Sequence, residues 1–153
     1  MSINNVTINN VENELKTIKK NILKLKAWEK EIEVIESKLN SYIENKLGFK
    51  SQGSFDLSKI IENDQARMNI LKSNIEYTIY SIEKIRSCMI CLESEEKKVI
   101  ELKYLDSDIK SISLRAIGGI LNCSKDAVNK LLKSAIAKIV EYKNETNIKD
   151  IRQ

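Results

Sequence analysis

In two long series between Val11 and Leu92 the apolar side chains return every third or fourth residue, a period that admits little besides long helices. Between about Asn10 and Lys46 they fall at Val11, Leu15, Ile18, Ile22, Leu25, then Ile32, Ile35, Leu39 and Tyr42. Steps of four and three alternate there, as along a coiled-coil seam. The rhythm slips near Trp28 and Glu29, where a local adjustment of the helix is expected. A second series runs unbroken through Met68, Leu71, Ile75, Thr78, Ile82, Ile85, Met89 and Leu92, with Ser58 or Asp64 as candidate starts. Residues 48–58 hold two of the four glycines and read as the loop between the series, with Gly48 capping the first helix. Residues 1–9 are polar and expected to fray. Two such stripes fold back most simply as an antiparallel coiled-coil hairpin. No proline breaks the pattern, and aromatics at 5% leave the core to Ile and Leu, so the expected class is all-α.

Beyond Leu92 the pattern changes. Ser94, followed by Glu95 and Glu96, reads as a fresh N-cap with acids in the first turn, and places a boundary between residues 1–92 and 93–153. Ser113 to Ile139 then reads as two short helices joined by a tight turn. Ser113 caps the first, whose apolar residues are Leu114, Ile117 and Leu121. Asn122 leaves the helix, because Asn tolerates the left-handed backbone better than most side chains. Ser124 caps a second helix starting at Lys125, with Val128, Leu132, Ala135 and Ile139 on one face. Asp126, Asn129, Lys130 and Lys133 fall on the opposite arc. Gly118 lets the two helices approach closely, with Val128 as the expected contact, and alanine there is expected to be tolerated.

These residues resemble region 4 of the sigma-70 family, the part that reads the −35 promoter element. The lead-in Leu92 to Asp106 resembles that family's first helix, and Ile117, Gly118, Leu121, Ser124, Val128 and Ala135 match its pattern in place. The chain departs from it at Ala116, where Glu is usual, at Asn122, which replaces a turn Gly, and at Leu131 and Ser134, where Arg is common. The whole layout, two heptad helices and then this motif, resembles the ArpU/RinA-type regulators of Gram-positive phages and prophages, which activate late transcription. The resemblance implies sequence-specific promoter binding to double-stranded DNA and a contact with RNA polymerase.

On that reading Asn129, with Lys125 and Asp126 near the helix start, faces base edges, since an Asn amide pairs with adenine and Lys with guanine acceptors. Lys130, Lys133 and Arg115 contact phosphates and fix the register. The net charge of +4 fits a polyanion partner, and Lys125 to Ile139 holds four lysines against Asp126. The hairpin stripe leaves room for a homo-oligomer. The alternative is a coiled-coil interaction protein whose helix-turn-helix makes protein contacts only.

An enzyme is not expected. The chain has no His, which removes imidazole base catalysis and most zinc sets. Cys88 and Cys91 form a CxxC, but a tetrahedral zinc needs four ligands and only Cys123 remains, so both are expected to pack. Asp106 and Asp108 lack the rest of a calcium loop and read as a solvated turn. No cofactor or metal is expected. The start lacks the basic and apolar segments of a signal peptide, and no apolar run approaches a membrane span, so the expected location is the cytoplasm, without membrane contact.

Overall fold

A computed structural model of the chain describes residues 5–46, 57–106 and 112–152. Gly48 and most of the expected 48–58 loop lie outside the described residues, as do Asp108 and residues 1–4. The described chain is helical throughout, with no strand: α1 Ile8–Lys46, α2 Leu57–Cys88, α3 Ser94–Ile100, α4 Leu114–Leu121 and α5 Lys125–Arg152. None of these helices is long and apolar enough to cross a membrane.

Their ends are set by local chemistry. Thr7 closes the start of α1: the Asn10 N–H donates to Thr7 Oγ1 at 3.2 Å, and the Thr7 N–H donates to Asn10 Oδ1 at 2.9 Å. The helix thus starts two residues before Asn10. α2 starts at Leu57, ahead of both Ser58 and Asp64, and ends in a tight 3-10 turn, Met89–Cys91. α3 is capped by Glu93 instead of Ser94, because the Glu96 carboxylate reaches back and accepts from the Glu93 N–H at 2.9 Å. After α3 the helix widens over Glu101–Leu105, and the Asp106 N–H donates to the Glu101 carbonyl at 2.7 Å in a π-turn.

By its contacts the chain divides into two compact units, Met1–Leu23 with Tyr80–Gln153, and Lys24–Ile79. The seam expected at 92/93 therefore lies inside the first unit. The slip at Trp28 leaves no break in α1, which is α-helical from Ile8 to Lys46. It marks instead the point where the buried residues of α1 change from one set of neighbours to another.

In the unit Lys24–Ile79, Ile35 and Leu39 of α1 pack on Leu71 of α2, with Trp28, Ile32, Tyr42, Ile61 and Met68 around them. Arg67 pairs with Glu31 through two hydrogen bonds of 3.0 and 3.2 Å. Thr78 takes a heptad position because its hydroxyl donates to the Asn74 carbonyl at 2.8 Å, satisfying a polar group that is otherwise buried.

The other unit has the larger core. Val11, Leu15, Ile18 and Ile22 of α1 and Ile85, Cys88 and Met89 at the end of α2 share it with Val99, Ile100, Tyr104, Ile117, Val128, Leu132, Ala135, Ile136 and Ile139. α5 is a single helix of 28 residues, well beyond Ile139. Its later turns return to the start of the chain. The Asn144 amide accepts from the Val6 N–H at 2.8 Å and donates to the Val6 carbonyl at 3.1 Å, and Lys143 pairs with Glu14 at 3.0 Å. Lys19, nearly buried on α1, donates to the Asp106 carbonyl at the end of the π-turn. Burial pulls its ammonium pKa down, and Asp106 partly offsets this.

Leu15→Ala is expected to cost about 2–5 kcal/mol, since it empties a site shared by α1 and the C-terminal helices. For the same reason residues 93–153 alone are expected to unfold without a sharp transition, because the fragment loses every α1 side chain of the shared core. Thermal unfolding followed by circular dichroism, fragment beside full chain, checks both.

Candidate nucleic-acid interface

The segment Ser113–Ile139 folds as its capping residues dictate. Ser113 Oγ accepts from the Ala116 N–H at 3.1 Å and closes the start of α4. Asn122 takes the left-handed backbone, with φ 56° and ψ 44°, and no other non-glycine residue among those described has a positive φ. The Cys123 N–H then donates to the Gly118 carbonyl at 2.9 Å, ending α4. Ser124 Oγ accepts from the Ala127 N–H at 3.1 Å, and α5 starts at Lys125.

Gly118 is where the turn folds back. A Cβ at this position would stand 2.5 Å from the Cys123 carbonyl oxygen, which is backbone and cannot swing away. The close neighbour is thus the turn itself, not Val128, and the expected tolerance of alanine is overturned. Gly119 meets nothing within 4 Å and is under no such constraint.

Of the residues expected to form the inner face, Ile117, Gly118, Val128, Leu132 and Ala135 are buried, while Leu114 and Leu121 are partly buried against the same core. The expected reading face is turned outward. Arg115, Lys125, Asp126, Lys130 and Lys133 are exposed, and Asn129 is half-buried. Arg115 and these three lysines make no ion pair among the described residues. Among the side chains whose exposure is described, the exposed cations of α5 are Lys125, Lys130 and Lys133 on its early turns; farther along its exposed side stand Glu141 and Glu145. Asp126 sits in the first turn, where a negative charge suits the helix dipole. Beside Lys130 a groove of about 480 Å³ is lined by Leu121, Cys123, Ala127, Leu131 and Ser134.

Lys138 does not belong to this face. Its ammonium donates to Glu96 Oε1 at 2.7 Å, so one of the four lysines counted between Lys125 and Ile139 is neutralised. The Ser134 hydroxyl donates to Glu96 Oε2 at 2.6 Å, so Ser134 likewise turns toward α3. With the Glu93 N–H, the carboxylate has three donors at a side chain only 3% exposed. Burial works to raise the Glu96 pKa, but the hydrogen bonds from Lys138, Ser134 and Glu93 together outweigh it and hold the group below its ordinary value. The same bond to Glu96 pushes the Lys138 ammonium up. The sequence alone shows Glu96 as a first-turn acid. Its position three residues after Glu93 was the available signal, because that is the spacing of a capping box.

Cys88 is buried and Cys91 exposed, and both are free thiols. Cys91 Sγ lies 3.2 Å from the Cys88 carbonyl, and burial pushes its pKa up, away from the reactive thiolate. Among the described residues no group of three His, Cys, Asp or Glu side chains is disposed to hold a metal ion. Compared with family models, with curated proteins and with solved structures, the chain matches none.

Gly118→Ala is expected to destabilise the protein by about 1–3 kcal/mol, since the turn must open to admit the methyl group. Gly119→Ala is the control and is expected to be neutral or stabilising; thermal melts of the two variants decide. Glu96→Gln is expected to cost about 1–3 kcal/mol at neutral pH. Because folding lowers the Glu96 pKa, its contribution is complete above the unfolded-state value of about 4.3 and fades as pH falls through the lower folded-state value. The gap in melting temperature between the parent and Glu96→Gln should therefore narrow in acid.

Proposed function

We propose that this protein is a sequence-specific DNA-binding transcriptional regulator in which α4, the Asn122 turn and α5 act as a sigma-70 region 4-like helix-turn-helix. The observation that carries this reading is the capped pair itself: two helices closed by serines, joined through a left-handed Asn, with Lys125, Lys130 and Lys133 exposed on the opening turns of the second. The charge distribution supports it. Lys24–Ile79 contains nine basic and nine acidic residues, so the whole net charge of +4 belongs to the unit that contains α4 and α5.

In this reading the opening turns of α5 enter the major groove, with Lys125, Asp126 and Asn129 toward base edges and Arg115, Lys130 and Lys133 on phosphates. The half-buried Asn129 reaches the bases with less freedom than Lys125. α1 and α2 form the antiparallel hairpin, with RNA polymerase as the expected partner, and the resemblance to ArpU/RinA-type phage activators gives promoter activation as the role. No catalytic step is assigned to any residue, and the place of action is the cytoplasm.

A second reading, protein contact through the same motif, is favoured by one feature. Ile120 is 55% exposed, and Leu121 beside it lines two separate grooves. Binding to random-sequence duplex at two salt concentrations separates the readings, since phosphate contacts make affinity fall with salt. The double variant Lys130→Ala, Lys133→Ala is expected to weaken binding to all duplexes alike and to flatten the salt dependence by at most about 2 units of slope. Salt-insensitive or absent binding of the parent chain would leave the protein-contact reading.

A further inference from the structure

The unit Lys24–Ile79 leaves more large apolar side chains in water than it buries. Among its described residues Ile35, Leu39 and Leu71 are buried, while Val34, Ile43, Ile70, Tyr77 and Ile79 are exposed. Two of these stand on an unusual stripe of α2. Asn63, Ala66, Ile70, Ser73 and Tyr77 follow steps of three and four on a face away from Leu71, all are exposed, and none is charged. Outward positions of a solvated helix ordinarily carry charge. Ile70 is 53% and Tyr77 62% exposed, and between them large and small side chains alternate.

We propose that α2 pairs antiparallel with α2 of a second copy of this chain through Ala66, Ile70, Ser73 and Tyr77. One register sets every large side chain against a small one. Ile70 meets Ser73 of the second copy and Tyr77 meets Ala66, and the two-fold axis repeats both contacts, giving knobs and holes in the manner of a coiled-coil seam. The flanks set no charge against its like. Arg67 falls near Asn74 of the second copy and Glu76 near Asn69, so no like charges oppose each other. Nine basic and nine acidic residues leave this unit without net charge, so two copies approach without repulsion. Parallel pairing would instead set Tyr77 on Tyr77 and Ser73 on Ser73, leaving voids at the small residues.

The stripe from 63 to 77 is about 22 Å long. A face of that length buries a few hundred Å², well under the roughly 1,200 Å² of stable complexes, so the dimer is weak and concentration-dependent. This pairing stands independently of the DNA-binding reading.

The test is sedimentation equilibrium of the full chain from about 5 to about 500 µM, a range that brackets weak association. A reversible monomer–dimer equilibrium is expected. Ile70→Glu and Ser73→Lys, each alone, should raise the dissociation constant by about tenfold or more. Ile90→Glu, at a residue more exposed than Ile70 but off the stripe, should leave it unchanged. Helicity by circular dichroism confirms that each variant is folded. Mixing the Ile70→Glu and Ser73→Lys proteins should restore association, because only antiparallel pairing sets the new carboxylate against the new ammonium. A chain that stays monomeric throughout, a dimer indifferent to both stripe variants, or a mixture no tighter than its components overturns the proposal.

Discussion

The arrangement of the larger unit hangs on one buried carboxylate. Glu96 enters a nearly dry site and would be costly there alone, but its two oxygens are met by the Lys138 ammonium, the Ser134 hydroxyl and the Glu93 N–H. One side chain therefore does two things at once. It closes the start of α3, and it fixes which side of α5 faces α3. Once that side is chosen, Val99, Ile100, Val128, Leu132 and Ala135 come together in the core. Lys125, Lys130 and Lys133 are then left outside because no other side of α5 remains for them. An apolar pair of similar size could hold α3 to α5 as firmly.

What the sequence disclosed was whatever acts over a few residues. Ser113, Asn122 and Ser124 are local devices, each bonded within three or four positions, and the turn follows from them without knowledge of the rest. The heptad rhythm is local in the same sense, and it foretold two long helices. Contacts across long separations were not legible. Ser134 and Lys138 stand 38 and 42 residues from Glu96. The pattern of their own helix shows Ser134 only as a departure from Arg and Lys138 only as one of four lysines. Gly118 shows an intermediate case. A close approach was foreseen, but periodicity pointed to a side chain on the facing helix, whereas the limit is set by a carbonyl five residues away. A fresh helix cap, such as the one that opens α3, marks where a helix begins and carries no information about which core it joins.

The division of charge bears on the same point. Residues 24–79 are balanced in sign and uncharged along one stripe, while the remaining residues carry the excess of lysine and arginine. A balanced surface approaches its own copies as readily as anything else, whereas a basic one is drawn to polyanions and repelled by its own kind. The two units are thus chemically suited to different kinds of neighbour, although α1 and α2 run through both.

The length of α5 has a mechanical consequence. Twenty-eight residues of unbroken helix make a strut about 42 Å long. Its opening turns carry the exposed lysines, while Asn144, two-thirds of the way along, grips the backbone of Val6 with both ends of its amide. The rod is held at two places along its length, by Glu96 on Ser134 and Lys138 and by Asn144 on Val6. Displacing the segment ahead of α1 would therefore break the amide clamp before it swung the lysine-bearing turns, whose side of the helix Val128, Leu132 and Ala135 already hold in the core.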